Sequence, residues 1–466
     1  WELIEIIPPA AYREPFSRSH FAMGLLANVA VEQGEECAQY LPLILHYVFL
    51  AGDRRNEIIT SNALLLLQNV LLSLIVGRGD YHRTLGQLTS RMKILRQNSS
   101  FWVYEDITHE KTTLESSKKM REFVEFVVEI LHFRDGLTEE WGAEALETTL
   151  TSEDNHHIRA RSLQIYRALK PQVRKADLLV LVRQLKGYVQ KKEPLSVGLE
   201  LAGTLQALVE WTGKDTLTAM PEVFWVAVGL LHTRDTEEYL AGLSLLSTVL
   251  RKIDFGGQEA QDYLLGCFPY EGFSPPFAGF LPFVMKGLTN RATERASLAL
   301  LSESALLSHS PVIDLDPKRR LLATTLGLLP QLCLFMGKEG TALIAKNLSL
   351  MFEWAGGEVE HSLIADIFQK YILGGFESMS GFVETISKGL ATCFFPQYEL
   401  LVFSLLAEFL DTGNPWQEKV ILSLFDSFLS NVKLDSSHLQ TRGMSLFSPV
   451  ERRVVGKWGD EAAGVL

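Results

Sequence analysis

Apolar residues along this chain recur three and four positions apart, and the runs that carry them come in pairs. The first run of a pair is short, apolar and opens near a proline. A few polar residues follow, then a longer amphipathic run. Leu41 to Leu50, with Pro42, precedes 56–76. Met220 to Leu231, with Pro221, precedes 237–253. Phe280 to Leu288, with Pro282, precedes 291–307. Each pair predicts a helical hairpin with one buried stripe. A single hairpin cannot bury that stripe alone, but a stack of hairpins can. The spacing therefore predicts an all-α fold, a HEAT/armadillo-like helical-repeat solenoid over 1–466 as a single segment. At ~40 residues per hairpin it would hold about ten or eleven units. Irregular spacing favours this class over the stricter tetratricopeptide repeat. The apolar faces of 62–75, 158–169, 239–250 and 296–307 are expected to line one continuous core.

Punctuation refines the elements. Thr138 is a plausible N-cap ahead of Glu139 and Glu140, for a helix ending near Thr151. Ile158, Ile165 and Leu169 share a face of the next helix, which Pro171 stops. Asp177 caps a run with Leu178, Val182, Leu185 and Val189, and Pro194 opens another that ends at Thr212-Gly213. Helical runs continue at 319–336, 341–355, 361–373, 398–410, 415–432 and from 449 onward, broken at Gly337, Gly356-Gly357, Gly374-Gly375 and Gly413. No alternating run bounded by Asn-Gly or Asp-Gly predicts a strand. Two stretches break the rhythm and read as long loops: 93–117, with Phe101-Trp102-Val103-Tyr104, and 255–280, with an aromatic-proline cluster at 269–277. In that cluster Tyr270, Phe273 and Phe277 are expected to pack under the stack, the alternative being a contact for a partner. Trp225, inside the apolar run 223–231, is expected to be buried between hairpins.

Composition narrows the class. The chain is 47% hydrophobic and 21% charged, as a folded protein is, with a net charge of -12 and a pI near 5.5. That balance argues against global attraction to nucleic acid or anionic membrane. The four cysteines, Cys37, Cys267, Cys333 and Cys393, form no CxxC pair and read as buried reduced thiols. Pro8-Pro9 falls where a secretory core would lie, and Trp1 stands in place of a methionine, so the expectation is a piece of a longer cytoplasmic protein. The uncharged run 321–337 contains Pro330 and Gln331 and falls short of the ~20 residues of a membrane span. It reads as a buried helix pair bent at Pro330, and no membrane span is expected. The sequons at Asn98 and Asn347 read as chance.

Catalytic patterns do not assemble. Gly77-Arg78-Gly79-Asp80 has no Gly-Lys-Ser/Thr after it, and its Arg-Gly-Asp would matter only outside the cell. His156-His157 are adjacent on a helix, so their rings point ~100° apart. His109-Glu110 lacks a second zincin histidine, and no Gly-x-Ser-x-Gly elbow occurs. No enzyme, cofactor or metal site is therefore expected. One charge feature does stand out. Arg159, Arg161, Arg167, Lys170, Arg174, Lys175, Arg183, Lys186, Lys191 and Lys192 fall in one segment with Asp177 as its single acid. That segment nets +9, which leaves -21 for the remainder. It predicts a basic ridge able to dock an acidic segment of a partner or of the parent protein. The alternative is a solvated face whose long stems cover apolar surface. Only Tyr166 and Tyr188 interrupt it as aromatics, too few to make a stacking platform for nucleic acid.

Several phrases carry a resemblance. Leu41-Pro42-Leu43-Ile44-Leu45-His46-Tyr47-Val48-Phe49-Leu50, Trp141-Gly142-Ala143-Glu144-Ala145-Leu146 and His157 to Leu169 are among them. So are Pro221 to Trp225 with Tyr239 to Leu246, and Leu281 to Leu288. Together they resemble the Furry family of cell-morphogenesis scaffolds, its fungal members in particular. They are helix-packing phrases and transfer no binding residue. The resemblance implies a central or C-terminal piece of a very large HEAT/armadillo-like scaffold. Such scaffolds act with NDR-class kinases and Mob coactivators in polarised growth, in the cytoplasm or at the cell cortex. Two rival readings are a karyopherin-like transport adaptor, also helical and acidic, and a helical enzyme.

Overall fold

The computed structural model describes residues 18–52, 57–76, 82–97, 115–152, 154–191, 195–253, 257–269, 277–356, 359–410 and 415–431. Among the described residues every regular element is a helix and no strand occurs. The fold is the all-α helical repeat that the apolar spacing predicts. The chain divides into two compact units, 1–216 and 217–466.

In the first unit the helices are α1 (Arg18–Glu32), α2 (Gly34–Cys37), α3 (Leu41–Ala51), α4 (Glu57–Val76), α5 (His82–Gln97), α6 (Glu115–Ile130), α7 (Leu137–Thr151), α8 (His156–Leu169), α9 (Lys175–Lys191) and α10 (Leu195–Trp211). α4 packs on α1, α3 and α5, while α8 packs on α3, α6, α7 and α10. Aromatic contacts join three of these: Phe49 of α3 meets Phe123 of α6 at 5.7 Å and Trp141 of α7 at 5.2 Å. The punctuation works as chemistry demands. Asn155 caps α8 by accepting from the Ile158 N–H, and Lys170 ends it in the left-handed region at φ 49°, just before Pro171. α7 differs slightly from expectation. Its N-cap is Gly136 at φ 75°, and Thr138 lies inside the helix. Among the described residues one helix, Ile58–Val76 in α4, is long and apolar enough to cross a membrane. At 19 residues it is longer than the uncharged run 321–337. Its Ala63, Leu67, Val70 and Leu71 are fully buried against the neighbouring helices, as in a core helix.

A short helix, α11 (Lys214–Thr218), spans the boundary. The second unit comprises α12 (Pro221–Leu230), α13 (Thr236–Lys252), α14 (Gln258–Gly266), α15 (Leu281–Lys286), α16 (Glu294–Ser304), α17 (Pro317–Leu334), α18 (Glu339–Ala355), α19 (Val359–Ile372), α20 (Met379–Phe394), α21 (Glu399–Leu410) and α22 (Pro415–Leu429). Packing follows chain order from α16 to α20, and α17 also touches α20, α21 and α22. The reason lies in its sequence. From Leu321 to Cys333 α17 has almost no polar side, and a helix apolar all round must be covered all round. It is one helix running through Pro330, not the expected pair. The Gln417 side chain donates to Glu294, which ties α22 to α16.

Both irregular stretches are shorter than expected. α5 reaches Gln97 and α6 starts at Glu115, so 98–114 of the first, with the Asn98 sequon, lie outside the described residues. α14 occupies part of the second. Trp225 is buried there as expected: its indole N–H donates to the Leu264 carbonyl at 3.0 Å, and Phe268 and Phe277 stand edge-on to it at 5.0 Å. Phe277 thus packs inward, while Tyr270 and Phe273 lie outside the described residues. So does the run from 449. α20 is a helix that the punctuation left unassigned. Asn347 is buried in α18 with its amide donating to Ser302, which removes it as a glycan acceptor in this fold. Cys37 and Cys333 are buried free thiols, whereas Cys267 is exposed.

Candidate protein-interaction surface

The basic segment is not one ridge. Its first part turns inward, because α8 is enclosed by α3, α6, α7 and α10 and nearly all of its residues from Arg159 to Leu169 are buried. Arg159 donates to Gln184 of α9 at 3.1 Å. Arg161 donates to Gln164 at 2.7 Å and reaches the Met120 sulfur of α6 at 3.7 Å. Gln164 in turn donates to Glu200 of α10, whose carboxylate is fully buried. Arg167 pairs with that same carboxylate and donates to the Glu200 carbonyl at 2.9 Å and to Thr204 at 2.8 Å. A buried cation needs such partners, since desolvation otherwise costs several kcal/mol. Arg159, Arg161 and Arg167 therefore fasten α6, α8, α9 and α10 together. As candidate docking residues Arg159 and Arg161 are corrected by their burial, and the half-buried Arg167 by its pairing with Glu200.

The signal for this was present. Arg161 falls three residues after Ile158 and four before Ile165, on the stripe that sequence reading itself assigned to the core.

The second part of the segment faces solvent. Lys170, Arg174, Lys175, Arg183 and Lys186 are all exposed. Arg174 is committed to Asp177 through two hydrogen bonds of 2.8 Å, which hold its guanidinium above the usual arginine range. Tyr166 beneath them is buried, and burial raises its phenol well above normal. On α9, Lys175, Leu179, Arg183 and Lys186 fall within about 80° of arc at 100° per residue. Lys175 and Lys186 are separated by ~16 Å along the axis. Asp177 lies on the other side and is buried. Among the described residues neither Arg183 nor Lys186 makes an ion pair. Lys191 belongs to α9, but its side chain, like Lys192, lies outside the described residues.

The second unit offers a different surface. A cleft of ≈ 640 Å³ opens between α15, α17 and α21, walled by Leu281, Met285, Ala323 and Leu405. Arg319 on its rim is held by Asp314 at 2.7 Å. Among the described residues no three His, Cys, Asp or Glu side chains gather as metal ligands.

These surfaces sit on matched sequence. Residues 221–466 match the family model for the C-terminal region of cell-morphogenesis proteins of the MOR2-PAG1 type, and residues 9–198 match that for their central region. The chain belongs to this cell-morphogenesis family. The Furry-type resemblance read from its helix-packing phrases holds. The two matched regions meet between 198 and 221, and the two compact units divide at 216 and 217. Among curated relatives, the cell morphogenesis protein PAG1 of Saccharomyces cerevisiae is 23% identical over 453 residues, 97% of this chain. The cell polarity protein mor2 of Schizosaccharomyces pombe is 19% identical over 331 residues, 70% of this chain. The chain spans 18% and 15% of the lengths of these two morphogenesis proteins.

Proposed function

We propose that this chain is a non-catalytic scaffold segment that helps organise an NDR-class kinase and its Mob coactivator during polarised growth. In this reading it acts in the cytoplasm, at the cortex of growing regions. The observation that carries the reading is membership of the cell-morphogenesis family along nearly the whole chain. The fold supports it, because a helical repeat offers extended surface rather than a convergent pocket. The arginines of α8 also act as helix-to-helix ties. The test is affinity capture of the tagged chain from extracts of its own cells, read by quantitative mass spectrometry. The kinase and its coactivator should be enriched over an unrelated acidic helical repeat. Enrichment of nuclear-localisation cargo and a small GTPase in their place would favour the transport adaptor and sink the proposal.

A further inference from the structure

We propose that the solvent face of α9 is a docking strip for an acidic, extended segment of a partner protein, with Lys175, Arg183 and Lys186 as its contacts. The argument is charge complementarity at a defined spacing. The three cations lie along one face of one helix, with the aliphatic Leu179 half-buried among them. Asp177, the one acid of the segment, is turned inward and taken by Arg174. An extended chain advances about 3.3 Å per residue, so the ~16 Å of strip matches about five residues. Acidic side chains on such a segment would meet a cation at each end and one between.

The strip does not suit an extended polyanion. The rest of the chain nets -21, so a duplex or a membrane reaching beyond α9 would meet repulsion. A short peptide stays within the strip. Base stacking has no platform either, since both tyrosines of the segment, Tyr166 and Tyr188, are buried. The inward pinning of Arg159 by Gln184 on α9 gives the strip a fixed backing, so docking requires no rearrangement of the helix.

This inference rests on the scaffold reading but can fail without it, because peptide binding to α9 is measured separately from capture of the kinase and its coactivator. The test uses the full 466-residue chain and a fluorescent oligo-glutamate peptide, with anisotropy measured at low and at physiological salt. The parent should bind at low salt and release the peptide as salt rises. The double variant Arg183→Glu/Lys186→Glu should bind at least about tenfold more weakly, with a shallower salt dependence and an unchanged melting temperature. Reversal of two exposed lysines elsewhere, Lys346→Glu/Lys388→Glu, should leave binding as in the parent. Equal peptide binding by parent and α9 variant overturns the proposal, as does no binding by the parent at low salt. A fluorescent oligo-thymidine that binds the parent as tightly as the peptide, and loses that binding in the α9 variant, also overturns it.

Discussion

Single residues set what this fold tolerates. Trp225 fills the space between α12 and the α14 region and spends its indole N–H on Leu264. Replacing it with alanine leaves a large cavity and an orphaned carbonyl. Trp225→Ala should cost roughly 3–5 kcal/mol, read as a lower urea midpoint. An unchanged midpoint would refute its place in the core. His46 is a second test. It is fully enclosed, its ring bonds Ser162 of α8 at 3.1 Å, and burial holds its imidazole down at about 3. In the unfolded chain the same group titrates near 6.5. Between those values the unfolded state takes a proton that the native state refuses, so acid favours unfolding. Stability linked to His46 is complete above about pH 6.5 and falls progressively as pH drops towards 3. Urea midpoints at neutral and mildly acid pH should therefore fall further for the parent than for His46→Gln. Parallel losses would show that His46 is not held neutral.

At the scale of elements, most of the helices could be read from the sequence. Apolar spacing finds existence and phase, while Pro and Gly find the ends within a few residues. What escaped has physical reasons. α17 is one helix through Pro330, because enclosure on every side outweighs the local cost of a mid-helix proline. α20 was missed although Ser378 caps it by accepting from the Gly381 N–H, a signal that Gly374-Gly375 obscured. Charge alone does not separate the inward from the outward part of the basic segment. Spacing places Arg161 on the core stripe and Gln164 one turn along, but Met120 beside Arg161 and Glu200 beside Gln164 come from α6 and α10, and only folding brings them there. Loop geometry was the least legible. Gly279 precedes α15 at φ 101°, and a Cβ there would lie 2.2 Å from the Ile313 carbonyl oxygen. Beside it the Phe280 and Leu281 N–H groups donate to Val312 and Ile313, each at 3.0 Å. Gly279→Ala should cost roughly 1–3 kcal/mol from backbone strain alone, with the steric clash added. A calorimetric melt that coincides with the parent's would show that this close approach is not maintained.

At the scale of the whole molecule, the proposed scaffold role has the chain supply shaped and charged surface. Two compact units carry that surface, and they correspond to the central and C-terminal regions of the family. Within them, charged and polar groups divide by role. The arginines of α8 are spent inside, and Lys175, Arg183 and Lys186 of α9 remain outside. The most direct test is made in cells from which the coding sequence for residues 1–466 is removed in frame, beside unmodified cells. The position of the fluorescently tagged NDR-class kinase and the cell aspect ratio are recorded by microscopy. The account predicts that the kinase leaves the growth site and the cells round up. A kinase still concentrated at the growth site, in cells of normal shape, would contradict it.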